Sequence, residues 1–428
     1  MPAFRVSTFV ALLVAVAQTA VGQSTPSTGS QTPSTPATSV PGTPTLPGTM
    51  TGPLTKTNLP EMLERRGRRK AREPETFDLD AALDVSLDAA PSAPAAIDAK
   101  GAYVALSTGK LVAIDLDAGK LRWSYDIATT VSPGVDGGLV VAAGDELLTA
   151  FDAQSGAALW SVPMPGGAVT SPLVDSGWVV AGAPDGTVLT VRGSDGQVLW
   201  KKSLGATLAA RPFIAADAAY FALSDHRIVS VSLLTGEPRW ERMLDGTPGD
   251  LLVLDDRLFV GASDKFFYCL KTSDGKERWR RRCGGKPSGA PAVDEKLVYY
   301  VAFDNILWAI DRNGGSLRWK ANLPVRPSGG PIVVGKTVVV AGVAFEVYGY
   351  SAGPDGGVET GKAVYAADLA GPPQLVGGAS GPPGIAGVTR EGNFQILRRR
   401  LEPTPIPIPY PLGAEIPLSL LPTVSPSS

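Results

Sequence analysis

The sequence predicts an all-β fold, a β-propeller of four-stranded antiparallel blades, and three repeating features carry this prediction. Six of the eight tryptophans recur at intervals of 37, 40, 40, 39 and 40 residues. A glycine lies four residues before each of them, and an apolar residue lies nine residues before each of them. A fixed period of about 40 residues indicates a repeat architecture, and four short strands fit within one period of this length.

The repeated residues are predicted to be structural anchors of the blades. The glycines supply the positive φ that a tight hairpin turn needs. The tryptophans are expected to pack against the neighbouring unit, because one small sheet cannot bury so large a side chain alone. The tryptophans are Trp123, Trp160, Trp200, Trp240, Trp279 and Trp319. The glycines are Gly119, Gly156, Gly196, Gly236, Gly275 and Gly315.

The third unit illustrates how one period divides into strands. Segments of alternating or apolar character stand at 171–174, 178–181, 187–191 and 197–201, and Asp, Ser and Gly separate them. These residues form turns between antiparallel strands. Each unit is therefore expected to be one blade.

The number of blades can be inferred from the predicted starts of their first strands. Most contain a proline: Pro94, Pro133, Pro172, Pro212, Pro291 and Pro331. Residues 252–255 fill the same place without a proline, and an eighth unit begins at Pro373 but lacks a fourth strand of its own. Residues 76–87 are predicted to supply that strand and to close the ring, which removes exposed sheet edges. Eight blades follow, with seven as the alternative if the last unit is only a cap.

The N-terminal segment is predicted to be a signal peptide over residues 1–22. Arg5 precedes a twelve-residue run without charge, and small residues follow it. This run is too short for a membrane-spanning helix, which needs about 20 apolar residues. The protein is therefore expected to be exported and periplasmic or associated with the cell envelope, with an uncleaved anchor as the alternative. No cysteine near this segment would accept a lipid.

Three further segments complete the predicted organisation. Residues 23–75 form a disordered tether, because 27 of the 35 residues from 23 to 57 are Pro, Ser, Thr or Gly. The tether ends in a basic arm at 64–72, which is either a solvated segment or a contact for an anionic partner. The propeller occupies residues 76–400. Residues 401–428 form a Pro-rich extended tail.

The two cysteines are Cys269 and Cys283, which are fourteen residues apart across a predicted hairpin turn at 274–275. With the turn centred there, Cys269 faces Arg280, and a three-residue stagger of about 10 Å separates it from Cys283. Disulfides need Cα atoms within about 7 Å. The spacing favours free thiols. A disulfide between Cys269 and Cys283 stays open as the alternative, because a bulge could close the gap and an exported protein meets an oxidising compartment.

The repeat blocks resemble a known family. The block Ala-Phe-Asp-Ala-Gln-Ser-Gly-Ala-Ala-Leu-Trp at 150–160, with related blocks at 113–123 and 309–319, is similar to the tryptophan-docking repeat of PQQ-like propellers. The resemblance covers about residues 76–400 and implies the propeller fold. Members of this family include quinone-cofactor dehydrogenases, scaffolds of outer-membrane protein assembly, and sensor domains. The resemblance therefore leaves the function open between these classes.

Neither a catalytic site nor a metal site is predicted. The resemblance implies that members holding pyrroloquinoline quinone bring a calcium site, a catalytic Asp and often adjacent cysteines. This sequence has no adjacent cysteines and no acidic cluster with calcium-loop spacing. Cofactor-binding residues stay unassigned, and no cofactor is expected, although the quinone remains the cofactor of the alternative function.

Other polar residues have structural interpretations. Asp115, Asp152 and Asp311 precede repeat glycines and are predicted to form turns. The single histidine, His226, excludes a multi-histidine metal site and is expected in a solvent-exposed loop. The basic run at 278–282 is interpreted as a solvated outer strand, with an acidic partner as the alternative.

The sequence as a whole predicts a non-enzymatic cell-envelope scaffold. It would be a monomer that holds an envelope protein or polymer on its loops, for example in outer-membrane protein assembly. The net charge of −2 gives no reason to expect nucleic acid as a partner, and no segment after the signal could span a membrane. The alternative is an enzyme resembling quinone-dependent dehydrogenases, or a small-ligand sensor, that uses the central funnel.

Overall fold

Short runs of β-branched and small apolar residues form the regular elements of the computed structural model, which describes residues 79–343, 346–365, 368–376 and 384–399. Turns rich in Gly, Asp and Asn end these runs after two to eight residues, because such residues accept the backbone angles of tight turns. In this part of the chain all regular elements are strands, and no helix is long and apolar enough to cross a membrane.

The described residues form 32 strands in eight four-stranded antiparallel sheets. β1 (Leu79–Ser86) comes first and belongs to the last blade. Blade 1 contains β2 (Ala96–Ile97), β3 (Gly101–Leu106), β4 (Lys110–Asp115) and β5 (Lys120–Asp126). Blade 2 contains β6 (Gly134–Asp136), β7 (Leu139–Ala143), β8 (Leu147–Asp152) and β9 (Ala158–Pro163). Blade 3 contains β10 (Leu173–Asp175), β11 (Trp178–Gly182), β12 (Thr187–Arg192) and β13 (Val198–Ser203). Blade 4 contains β14 (Phe213–Ala215), β15 (Ala218–Ala222), β16 (Arg227–Ser232) and β17 (Pro238–Met243).

The remaining blades follow the same order. Blade 5 contains β18 (Pro248–Leu254), β19 (Arg257–Ala262), β20 (Phe266–Lys271) and β21 (Glu277–Arg282). Blade 6 contains β22 (Pro287–Val293), β23 (Leu297–Ala302), β24 (Ile306–Asp311) and β25 (Leu317–Asn322). Blade 7 contains β26 (Ile332–Val334), β27 (Thr337–Ala341), β28 (Glu346–Ser351) and β29 (Glu359–Val364). Blade 8 contains β30 (Gln374–Val376), β31 (Gly384–Val388), β32 (Asn393–Arg399) and β1.

Blade 8 joins the two ends of the propeller. β1 pairs antiparallel with β32 and is the outermost strand of that sheet. Val85 of β1 stands opposite Phe394 of β32, and both side chains are buried. The predicted eight-bladed propeller, closed by an N-terminal strand, is confirmed. The predicted signal peptide, tether, basic arm and C-terminal tail lie outside the described residues.

The hydrophobic core lies between successive blades. One cluster, for example, joins Tyr299 and Leu307 of blade 6 to Val338 and Tyr350 of blade 7. Another joins the closing strand to blade 1 through Val85 and neighbouring apolar residues. A single four-stranded sheet has two faces to cover, so each blade depends on a neighbour on either side.

The repeated tryptophans reach across these contacts to the next blade. Five of the six donate their indole N–H to a backbone carbonyl there. The acceptors are Ala153 O for Trp123 at 3.0 Å, Gly193 O for Trp160 at 2.7 Å, Leu233 O for Trp200 at 2.7 Å, Thr272 O for Trp240 at 2.7 Å and Gly353 O for Trp319 at 2.8 Å. The indole nitrogen of Trp279 is buried without a hydrogen-bond partner in the described part of the chain.

Five of the six repeated glycines lie against the tryptophan of the preceding blade. A Cβ added at Gly196 would lie 2.8 Å from Cγ of Trp160, and the φ of Gly196 is +74°. Gly156, Gly236, Gly275 and Gly315 have the same relation to the tryptophans before them. At Gly119 the neighbour is Leu83 of β1, so the closing strand takes the place of a tryptophan at the first blade. The glycine therefore serves both the turn and the close approach of two blades.

We predict that Gly196→Ala destabilises the propeller more than Gly177→Ala. Both glycines have positive φ, so both substitutions incur a backbone cost of about 1–2 kcal/mol. A Cβ at Gly177 meets nothing within 4 Å, whereas one at Gly196 meets the Trp160 ring. The free energy of unfolding in urea should fall by about 1–3 kcal/mol more for Gly196→Ala. Equal losses for the two variants would contradict the inter-blade role of the glycine.

Cys269 and Cys283 are buried free thiols. Cys269 stands opposite Trp279 and not, as predicted, opposite Arg280, because the turn is centred one residue earlier than predicted, with Lys271 hydrogen-bonded to Lys276. The bulge between Cys269 and Leu270 recovers only one residue of the resulting two-residue shift. The Cys283 thiol lies 3.6 Å from the Tyr300 hydroxyl. Burial raises the pKa of Cys269 to about 12 and that of Cys283 to about 11. At neutral pH both are therefore protonated.

We predict that neither thiol of the native protein reacts readily with a disulfide reagent such as DTNB at pH 8. The reactive species is the thiolate, which the raised pKa values and the burial suppress. After unfolding in guanidinium, both thiols should titrate at once. Rapid reaction of the native protein would contradict the buried placement. A yield of no thiol after unfolding would instead show that the two residues are bridged.

Candidate functional site in the central channel

The first strands of the blades line the central channel, because they contact one another around the ring. Such contacts join β2 to β6, β6 to β10, β14 to β18, β18 to β22, β22 to β26 and β26 to β30. Six of the eight first strands have only two or three residues, whereas β18 and β22 have seven each. Blades 5 and 6 therefore carry a more extended channel wall than the rest.

Both long strands contain a bulge. In β18, Gly249 and Asp250 together stand opposite Gly261. In β22, the register shifts between Ser288 and Ala292. A bulge bends its strand and changes the direction of a side chain, and bulges are frequent next to binding and active sites.

A cavity of about 170 Å³ lies between these two strands. Glycine and alanine form much of its wall, which leaves space that larger side chains would fill. They are Ala209, Ala210, Gly249, Gly261 and Gly289. The polar lining comes from Asp250, Lys286 and Ser288, and Phe303 also contributes.

We call Arg211, Asp250 and Lys286 the funnel cluster. Arg211 lies two residues before the first residue of β14, and its side chain is accessible to solvent although protein surrounds it. Burial raises the pKa of Asp250, and the positive charges of Arg211 and Lys286 oppose this shift. Burial lowers the pKa of Arg211, opposed by Asp175 and Asp250. These charges therefore act on one another across the channel wall.

The funnel cluster is not internally paired. In the part of the chain that the structure describes, the three side chains form no ion pair within 4.0 Å and no hydrogen bond. Other charged side chains nearby do find partners: the guanidinium of Arg326, for example, lies 4.4 Å from the centre of the Phe303 ring. The cluster thus presents a carboxylate and two cations with free hydrogen-bonding capacity.

The residues that the sequence singled out lie elsewhere. His226 lies in the turn between β15 and β16, with a φ of +76°, and is half-buried instead of exposed. Asp115, Asp152 and Asp311 accept hydrogen bonds from the backbone of their own turns. These bonds, with that from the Ser155 hydroxyl to Asp152, hold the pKa of each carboxyl below its usual value. The three aspartates have the geometry of turn-forming residues.

The basic run at 278–282 lies on the fourth strand of blade 5 and is largely paired. Arg278 binds Asp256, and Arg280 lies 3.7 Å from Asp245. Arg281 points inward and donates to Gly315 O of the next blade at 3.0 Å. Much of this charge is therefore neutralised within the protein.

Sequence reasoning missed the funnel cluster. One signal for it was present: the blade that contains Asp250 lacks the proline found at the other first strands. The bulge that places Asp250 in the cavity wall could not be predicted from the sequence. A bulge changes the register of strand pairing, but no characteristic pattern of residue types marks it here. Among the described residues, no group of three or more His, Cys, Asp or Glu side chains could hold a metal ion.

Comparison with known proteins gives the family. The family model described as outer membrane protein assembly factor BamB matches residues 128–251 and 244–387, which include blades 2 to 7 completely. The protein of that name from Bordetella pertussis is 30% identical over 200 residues, which are 42% of this chain and 51% of the relative. The chain thus spans about half the length of this relative.

Solved structures share the fold. BamB from Moraxella catarrhalis superposes with a TM-score of 0.62 at 19% identity, covering 75% of this chain and 99% of that one. A quinohemoprotein alcohol dehydrogenase from Comamonas testosteroni superposes with a TM-score of 0.60 at 14% identity, covering 76% and 78%. A protein named as an outer-membrane assembly factor and an alcohol dehydrogenase therefore share this propeller, and the fold does not decide between their functions. The match of the family model to more than half of the chain does establish kinship: this chain belongs to the family described as outer membrane protein assembly factor BamB.

Proposed function

We propose that this protein is a non-enzymatic scaffold that assists the assembly of outer-membrane proteins. The observation that carries the proposal is the family match, which runs through six complete blades and not through a single repeat. The relatives that are similar in sequence bear the name of an outer-membrane assembly factor. The dehydrogenase neighbour is similar only in fold, at 14% identity.

The surface we assign to a protein partner is the loop face. We define it as the end of the propeller where the fourth strand of each blade connects to the first strand of the next. It includes residues 244–247 and 283–286, and the turn at Phe303 lies on the same side. Phe303 is 38% exposed beside Arg326. An exposed aromatic ring next to an arginine is typical of protein interfaces.

The remaining parts of the proposal follow from this role. The protein would act in the periplasm, at the inner side of the outer membrane, as a monomer and without a cofactor. Its partner would be a protein of the assembly machinery. The signal peptide predicted at residues 1–22 would bring it there.

We predict that a photo-crosslinking amino acid at Phe303 captures a component of the outer-membrane assembly machinery in cells that express the full chain. The same amino acid at Asn313 is the matched control, because Asn313 lies in an exposed turn of the same blade at the opposite end of the propeller. Adducts should form at Phe303 and not at Asn313, and mass spectrometry identifies the captured protein.

Two outcomes would contradict the proposed function. One is capture of the same proteins at both positions, which would mean that the loop face has no special role. The other is saturable, calcium-dependent binding of pyrroloquinoline quinone to the purified protein in calorimetry. That result would favour an enzyme of the quinone-dependent class.

A further inference from the structure

The funnel cluster has an arrangement that a scaffold does not require. Asp250 and Lys286 line one cavity, yet their side chains do not form an ion pair. Asp250 is half-buried and loses part of its hydration, which direct pairing with a cation would normally offset, whereas Lys286 is exposed to solvent. The cavity lining therefore contains an acceptor, Asp250, and a donor, Lys286, that do not pair with each other.

We infer that this cavity binds a small zwitterion, an α-amino acid of about the size of glycine or alanine. In this arrangement the ammonium group of the ligand donates to the Asp250 carboxylate. Its carboxylate accepts from the Lys286 ammonium, and the Ser288 hydroxyl offers a further donor. Arg211 does not line the cavity, but its positive charge also acts on Asp250.

The charges favour a zwitterion over a simple ion. A simple anion would be attracted by Lys286 and Arg211 but repelled by Asp250. A simple cation would be attracted by Asp250 but repelled by Lys286 and Arg211. A ligand that carries both charges, one carbon apart, satisfies the carboxylate and the ammonium together.

The size of the cavity fits this ligand class. A water molecule takes about 30 Å³ in the liquid, so a cavity of about 170 Å³ has room for at least five non-hydrogen atoms. Glycine has five and alanine has six. The glycine and alanine residues of the wall create this space. A larger residue is excluded at Gly261, where an added Cβ would lie 2.3 Å from Pro287.

This inference concerns a ligand in the channel wall and goes beyond the proposed scaffold function. The scaffold function and the amino-acid site can each fail without the other. Crosslinking at Phe303 reports on a protein partner, whereas titration with an amino acid reports on the cavity. A ligand in this cavity would bridge blades 5 and 6, since its two binding groups come from β18 and from the residue before β22.

The test is isothermal titration calorimetry of the full chain with glycine, and with acetate and methylamine as separate half-ligands. Saturable binding of glycine is expected, with each half-ligand at least about tenfold weaker, since each lacks one charge-assisted hydrogen bond. No saturable binding of glycine or alanine overturns the inference. So does acetate or methylamine that binds as tightly as glycine.

Variants locate the site. Asp250→Asn and Lys286→Met keep the shape of each side chain but remove its charge, and each should weaken glycine binding by about tenfold or more. Asp195→Asn, in an exposed turn of blade 3, is the matched control and should bind as the native protein does. Thermal unfolding verifies that each variant is folded. Unchanged binding in both Asp250→Asn and Lys286→Met, with the proteins folded, would also overturn the inference.

Discussion

Closure of the ring is the constraint on which the rest of this structure depends. Each blade has two faces, and the apolar clusters lie between one blade and the next. A blade at an open end would expose one such face and one row of unpaired backbone groups. β1 prevents this at blade 8, and its Leu83 also occupies the position at Gly119 that a tryptophan occupies at other blades. The closing strand thus completes both the sheet and the inter-blade packing.

The contacts between regular blades hold the propeller together, so two channel strands can be irregular without disrupting the fold. Tryptophan and glycine hold successive blades at a fixed approach, so the frame does not rely on the channel wall alone. β18 and β22 can then carry bulges, small residues and unpaired charges between them. The unpaired Asp250 carboxylate is half-buried, which costs stability, and such a group is expected to persist where a ligand or partner compensates for it. The inter-blade tryptophan and glycine contacts therefore stabilise the propeller, whereas the first strands of blades 5 and 6 form the site.

The sequence predicts the fold well because each of six repeats carries a tryptophan and a glycine at fixed positions, and the propeller blade accommodates both. The spacing of Trp160 and Trp200, each with its glycine, leads directly to the blade, and the missing strand of the last unit leads to β1. Local register was harder. A turn centred one residue earlier than predicted moved the partner of Cys269 from Arg280 to Trp279, and a bulge placed Asp250 in the cavity wall. Such shifts arise from backbone geometry and cross-strand packing, which the order of residue types does not specify.

The most direct test of the account is the stability of the propeller when closure is impaired in β1. Val85→Asp places a charge in the buried contact with blade 1, whereas Ser86→Asp places the same charge on the exposed side of the same strand. Urea unfolding should show a loss on the order of 3 kcal/mol for Val85→Asp and a change within about 0.5 kcal/mol for Ser86→Asp. If Val85→Asp left the unfolding midpoint unchanged, the blades would be stable without closure, and the central claim would be wrong.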